Sequence, residues 1–139
     1  MAGPGPVRII IAEDSGADVI LIEETLRVAG LEVDLKVFPD GEECACYLKT
    51  NEELPAAIIL DLNLPRLDGF ELLRLVRGEP KYAAVPVAVL TSSKLTQDRQ
   101  KSLDLGANAF ITKPATLDSF VETVGSAIHD LLRAGRPSR

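Results

Sequence analysis

The sequence predicts an α/β sandwich in which a parallel sheet is covered by helices on both faces. Three observations carry this. Five short apolar runs alternate with five stretches of helical periodicity along 139 residues. The inner runs VRIIIA (7–12), AAIILDL (56–62) and VPVAVLT (85–91) are apolar nearly throughout, the pattern of strands buried on both sides. Right-handed crossovers between successive parallel strands then leave a doubly wound arrangement.

The elements follow in order. MAGPGP (1–6) reads as a flexible leader, without the cationic and apolar segments of a signal peptide. After the strand at 7–12, a helix starts at Ser15 and carries Val19, Ile22, Leu26 and Ala29 on one stripe. Ser15 and Asp18 have capping-box positions, and Gly30 supplies the stop. Residues 32–38 alternate Val33, Leu35 and Val37 with Glu32, Asp34 and Lys36, as an edge strand with one wetter face does. Asp40 and Glu43 cap a short helix reaching Thr50, with Cys44, Tyr47 and Leu48 inward.

The strand at 56–62 delivers Asp61, and a helix over 69–77 buries Phe70, Leu73 and Val76. Pro86 is tolerated near the start of the strand at 85–91. Residues 94–105 are helical with a thin apolar stripe of Leu95, Leu103 and Leu105, and NAFIT (108–112) is a short last strand. The closing helix, 116–133, is strongly amphipathic through Leu117, Phe120, Val121, Val124, Ile128, Leu131 and Leu132. One domain over 7–133 and a flexible tail over 134–139 account for the chain.

Composition narrows the function classes. A net charge of −6 gives no basic footprint for nucleic acid, since the basic residues Arg133, Arg136 and Arg139 cluster only at the tail. Aromatic residues are 4% of the chain, too few for a base-stacking platform. No apolar run approaches the roughly 20 residues of a membrane span, so a cytoplasmic protein is expected. Cys44 and Cys46, two apart on a helix, point away from each other and read as buried or half-buried thiols of a reducing compartment. His129 has no second ligand beside it in sequence and reads as exposed.

The chemistry lies at the strand ends. The first strand ends at Glu13 and Asp14, the third at Asp61, the fourth at Thr91 and Ser92, and the fifth runs into Lys113 and Pro114. In a parallel sheet these ends lie together, where ligands of such folds bind. Three converging carboxylates repel unless a cation intervenes, and Mg²⁺ favours a few carboxylates plus water and phosphate oxygens. Asp14 and Glu13 are the expected metal ligands, with Asp61 and the backbone carbonyl of Asn63. Asp61, on a central strand, is the expected nucleophile toward a phosphoryl group. Thr91 and Lys113 are placed to hydrogen-bond the phosphoryl oxygens.

The four segments AEDS (12–15), LDLNLPRLDG (60–69), VLTSS (89–93) and FITKP (110–114), in this order and spacing, resemble the bacterial two-component response-regulator receiver domains, the CheY-like group. SLDLGANAFITKP and DLNLPRLDG are similar to the stand-alone receivers that serve bacterial phytochromes. The resemblance covers residues 7–133 and implies the flavodoxin-like strand order 2-1-3-4-5. It implies that Asp61 accepts phosphate from a sensor histidine kinase, a bacterial phytochrome on the narrower resemblance, with Mg²⁺ required. It also implies a cis peptide bond between Lys113 and Pro114.

In the family a Thr and an aromatic residue relay the signal. Here they are Thr91 and Phe110, where Tyr is more frequent than Phe. The readout surface would be the fourth helix, fifth strand and fifth helix, docking a partner or a second copy in a homodimer. The chain would then be a signalling phosphoacceptor and not an enzyme, catalysing only its own phosphotransfer and dephosphorylation.

Three other readings are open. A haloacid-dehalogenase-type phosphohydrolase needs a second acid where Asn63 stands. A flavin or nucleotide binder needs a phosphate-cradling first loop, and AEDSGAD places two acids there. A receiver-like module that interacts without phosphorylation would not need the acid set.

Overall fold

Five strands, β1 (Val7–Ala12), β2 (Val33–Phe38), β3 (Ala57–Leu60), β4 (Val87–Thr91) and β5 (Ala109–Thr112), form one parallel sheet in the order β2-β1-β3-β4-β5. The expected order 2-1-3-4-5 is thus observed. The structure is a computed structural model describing residues 5–134. Residues 1–4 of the expected leader and 135–139 of the expected tail, with Arg136 and Arg139, lie outside the described residues.

Alternation along each strand divides the sheet between two cores. Ile10, Ala12, Ile58, Leu60, Val87 and Val89 face α2 (Gly41–Thr50) and α3 (Gly69–Gly78), where they meet Cys44, Leu48, Leu72, Leu73 and Val76. The intervening Ile9, Ile11, Ala57, Ile59, Ala88 and Leu90 meet Ile22 and Leu26 of α1 (Gly16–Val28) and Phe120, Val124, Ile128 and Leu131 of α5 (Leu117–Ala134). Each fully buried side chain of this size contributes about 1.5–3 kcal/mol. The two faces together explain why the inner strands read as unbroken apolar runs. β2 is an edge strand without a fully buried residue, and its Val37, on the expected apolar side, is 38% exposed, so the alternation does not carry through to its end.

Burial departs from the sequence expectation where a helix overhangs its support. On α1 the stripe is filled by Thr25, buried because its hydroxyl donates to the Leu21 carbonyl at 2.7 Å, while Ala29 is exposed. Leu117, in the first turn of α5, is 56% exposed beside Val28 in an open groove between α1 and α5. α4 (Thr96–Asp104) buries only Ser102, and Leu95 (55% exposed) and Leu103 (36% exposed) face solvent. The expected thin stripe is therefore thinner still.

A 3-10 turn, Pro80–Tyr82, follows α3 and puts the Tyr82 ring in the core, with its hydroxyl donating to the Leu48 carbonyl at 2.6 Å. Arg77, near the end of α3, donates to the carbonyls of Gly106 (2.9 Å), Tyr82 (3.0 Å) and Val85 (2.9 Å) and to Asn108 Oδ1 (2.9 Å). Its stem fills the space a Cβ on Gly106 would need, at 2.8 Å from Arg77 Cγ, and Gly106 has φ +106°. This one side chain ties α3 to the turn before β4 and to the loop before β5.

Cys44 is buried, whereas Cys46 is exposed, correcting the expectation of two covered thiols. On α2 only one of two positions separated by about 200° can face the sheet. Burial, with the charge of Asp40 adding, pushes the Cys44 thiol up to about 12. A maleimide at pH 8 is expected to label the native protein once, at Cys46, and twice after denaturation. Two rapid native labels would show that the core on the α2 face is open. Because the folded pKa is raised, this thiol's contribution to stability is complete below its ordinary value of 9.0 and is lost as pH rises through about 12.

Candidate functional site

The sheet register brings the acids together. Ala12 pairs with Leu60, so Glu13 and Asp61 leave adjacent strands abreast, and the Asp61 N–H donates to the Ala12 carbonyl at 3.0 Å. Thr91 pairs with Thr112, and the Lys113 N–H donates to the Thr91 carbonyl at 2.8 Å, which sets Lys113 at the same end. Glu13 is 3% exposed, Asp61 5% and Thr91 0%, while Asp14 is exposed at the mouth.

Lys113 Nζ is the centre of the cluster. It reaches Glu13 Oε1 at 2.8 Å, Asp61 Oδ2 at 2.7 Å and Asp18 Oδ2 at 2.7 Å. The second oxygens are also held: Glu13 Oε2 accepts from the Ser15 N–H at 3.1 Å, and Asp61 Oδ1 accepts from the Asn63 N–H at 3.0 Å. Burial raises the Glu13 pKa, with Lys113 and the Ser15 N–H offsetting only part of the rise. Burial alone would lower the pKa of Lys113, but the Asp18, Asp61 and Glu13 carboxylates outweigh it and hold the ammonium well above the ordinary lysine range.

Glu13, Asp14 and Asp61 each offer one oxygen, all within 4.8 Å of one another. These are hard oxygen donors in a pocket that also contains a cation, the set that suits a small divalent ion better than a soft one. Glu13, Asp14 and Asp61 thus converge, and Lys113 meets two of them. Asn63 is exposed just beyond Asp61, and its N–H, not only its carbonyl, serves the site by fixing the Asp61 carboxylate.

The spacing of Asp18 from Ser15 predicts a capping box, but its carboxylate bonds to Lys113 instead. Ser15 does cap α1 by accepting from the Asp18 N–H at 3.2 Å. The return bond is absent because Glu13 takes the Ser15 N–H and Lys113 takes the Asp18 carboxylate. The complete box is on α3, where the Asp68 and Glu71 side chains exchange bonds with each other's backbone. All peptide bonds among the described residues are trans, so the cis Lys113–Pro114 bond implied by the resemblance is not found. The trans form is the intrinsically favoured one, by about 0.5–1 kcal/mol for X–Pro bonds, and Lys113 reaches three carboxylates from it.

Thr91 is fully buried, and its hydroxyl has one long hydrogen bond. Its Oγ1 accepts from the Ser93 N–H at 3.4 Å, and no hydrogen bond joins it to Asp61 among the described residues. Phe110 is half-buried on β5 beneath Arg99 of α4, whose guanidinium lies 6.0 Å from the ring centre and donates to the Phe110 carbonyl at 3.3 Å. Ser93 Oγ donates to Asp98 Oδ2 at 2.6 Å, a second tie on α4. Neither tie was visible in the sequence, since nothing in residue spacing pairs 99 with 110.

A family model described as the response regulator receiver domain matches residues 9–125. The chain belongs to the response-regulator receiver family. This receiver is 34% identical to the response regulator Rcp1 of Synechocystis over 124 residues, 86% of this chain and 84% of Rcp1. The structure of phosphorylated RcpA, a cyanobacterial phytochrome response regulator, superposes with a TM-score of 0.87 at 34% identity, covering 96% of this chain and 100% of RcpA. The Mn²⁺-bound form of Rcp1 gives a TM-score of 0.80 at 32% identity, covering 87% of this chain and 91% of that one. The receiver domain of the Pseudomonas aeruginosa histidine kinase PA1611, with magnesium in its active-site cleft, gives 0.76 at 25% identity, covering 93% and 99%. The receiver thus has the CheY-like fold that its four motifs implied and the likeness to phytochrome-associated regulators that SLDLGANAFITKP and DLNLPRLDG implied.

Proposed function

We propose that this receiver accepts a phosphoryl group on Asp61 from a sensor histidine kinase, with Mg²⁺ held by Glu13, Asp14, Asp61 and the backbone carbonyl of Asn63. The observation that carries the reading is the meeting of three acids and one ammonium at the strand ends, with Lys113 Nζ 2.7 Å from Asp61 Oδ2. Bound Mg²⁺ would offset the charge of the acids and of the incoming phosphoryl oxygens. The Asn63 N–H and Lys113 hold the two Asp61 oxygens in fixed directions, which orients the carboxylate for in-line attack. One Asp61 oxygen bonds to phosphorus as the phosphorus–nitrogen bond to the donor imidazole breaks, and the electron pair leaves with the imidazole. Lys113 stays charged and stabilises the negative oxygens without moving a proton.

The Thr91 hydroxyl turns toward a phosphoryl oxygen, and Phe110 fills the space it leaves. Arg99 and Asp98 carry that change to α4, which buries little and whose Leu95 and Leu103 are open to a partner. The α4–β5–α5 face is the proposed docking surface for a partner or for a second copy in a homodimer. The likeness to Rcp1 and RcpA supports a bacterial phytochrome as the kinase. A cytoplasmic location accords with this partner. No described helix is long and apolar enough to cross a membrane, and the net charge of −6 disfavours nucleic acid.

Incubation with acetyl phosphate and Mg²⁺ is expected to add the mass of one phosphoryl group to the intact protein. Asp61→Asn, or chelation of the divalent ion, is expected to abolish the gain. Unchanged wild-type mass would favour the phosphorylation-independent module, and continuous release of phosphate from small esters would favour the phosphohydrolase.

A further inference from the structure

Lys113 carries three N–H groups, and each meets a different carboxylate: Glu13, Asp61 and Asp18. Two of these belong to the set whose oxygens lie within 4.8 Å of one another, which is Glu13, Asp14 and Asp61. Asp18 is outside that set. It sits on the first turn of α1, its side chain is 25% exposed, its own N–H donates to Ser15 Oγ, and the Ser15 N–H is taken by Glu13. A divalent ion that engages Glu13 and Asp61 competes with two of the three Lys113 bonds. A largely buried ammonium stripped of both would be costly, and the Asp18 bond is the one left untouched.

We propose that Asp18 is a positioning residue that retains the Lys113 ammonium at the pocket when a divalent cation takes Glu13 and Asp61. The inference rests on the metal-dependent reading above. Asp18 contributes equally to the metal-free cluster in bond count, but it matters more once the other partners are engaged. Its removal therefore weakens metal binding through Lys113. A simple loss of negative charge would also weaken metal binding, but without needing Lys113 at all.

The two accounts separate in a double-mutant cycle on the full chain, with Mn²⁺ affinity read by electron paramagnetic resonance. Asp18→Asn is expected to weaken Mn²⁺ binding about tenfold, the scale of one charge-assisted bond. In a Lys113→Met background the same substitution is expected to have almost no effect. An equal loss in both backgrounds, or no loss from Asp18→Asn, overturns the proposal. A second readout avoids the Lys113 variant and its stability. The Lys113 ammonium NMR signal should stay protected from exchange when Mg²⁺ is added to wild type, and disappear in Asp18→Asn. Persistence of the signal in Asp18→Asn counts against the proposal.

Phosphorylation by acetyl phosphate is measured alongside. If wild type binds Mn²⁺ yet takes no phosphoryl group, the phosphoacceptor reading fails while the cycle still judges Asp18. If wild type binds no Mn²⁺, both fall.

Discussion

Lys113→Ala is expected to destabilise the metal-free protein by about 3–5 kcal/mol at neutral pH, the cost of leaving buried charge without its partner. The ammonium, with a side chain only 12% exposed, is the one cation bonded to Glu13, Asp61 and Asp18 among the described residues. Without it Glu13, whose pKa burial already raises from 4.5, is the carboxylate expected to hold a proton. The sign follows from that direction. A carboxylate with a raised folded pKa stabilises fully below its unfolded value, and the contribution is lost as pH rises through the folded value. The variant's deficit should therefore be small near pH 4.5 and grow toward pH 7. Mg²⁺ should restore part of it by mass action, because the ion replaces the lost cation. Urea unfolding at several pH values, with and without Mg²⁺, measures both effects. A variant as stable as wild type and indifferent to pH and Mg²⁺ would mean the acids are solvated enough not to need a counter-charge.

Gly69→Ala is expected to cost about 3 kcal/mol, an overpacking penalty at its upper range. A Cβ there would lie 2.3 Å from the Asp61 carbonyl oxygen and 2.6 Å from Leu62 Cα. Both are backbone atoms that cannot rotate away, and the Gly69 N–H donates to the Leu62 carbonyl at 3.0 Å. The start of α3 is thus seated directly on the segment that carries Asp61. Thermal unfolding should shift down by roughly 10 °C for a chain of this size, and phosphorylation by acetyl phosphate should fall with it as Asp61 is pushed. Gly16→Ala is the control, because a Cβ there meets nothing within 4 Å. It should be neutral or slightly stabilising, since Ala exceeds Gly in helix propensity by up to ~1 kcal/mol.

These two residues differ in how far the sequence revealed them. Lys113 was legible because it follows an apolar strand whose direction is fixed by the sheet, so its place at the strand ends needed only the βα alternation. Glu13, Asp14 and Asp61 were legible for the same reason, and their oxygens lie within 4.8 Å of one another. Gly69 reads only as the start of the helix over 69–77. Its close approach to Asp61 depends on how α3 docks, which no local pattern encodes.

Asp18 shows the same limit from the other side. Its spacing from Ser15 fits a cap, and the cap is half formed. A carboxylate can serve only some of the donors around it, and the donor that claims this one, Lys113, is 95 positions away in sequence. Arg77 is similar: a basic residue in a last helical turn looks like a dipole partner, yet it ties four acceptors together across the turn before β4 and the loop before β5. Leu117, Leu95 and Leu103 mark a third kind of gap. Periodicity identifies which face of a helix is apolar but not whether anything covers it.

The sequence by itself determined the strands, the helices, the parallel layering and which side chains stand at the carboxyl ends, because period, apolar content and crossover handedness are local or nearly local properties. Only the tertiary structure decided which of those side chains touch, how Lys113 divides its bonds, and which apolar faces stay open. Those outcomes are set by competition among donors and surfaces that are distant in the chain, and such competition is resolved only when the sheet register and helix docking fix distances to within an ångström.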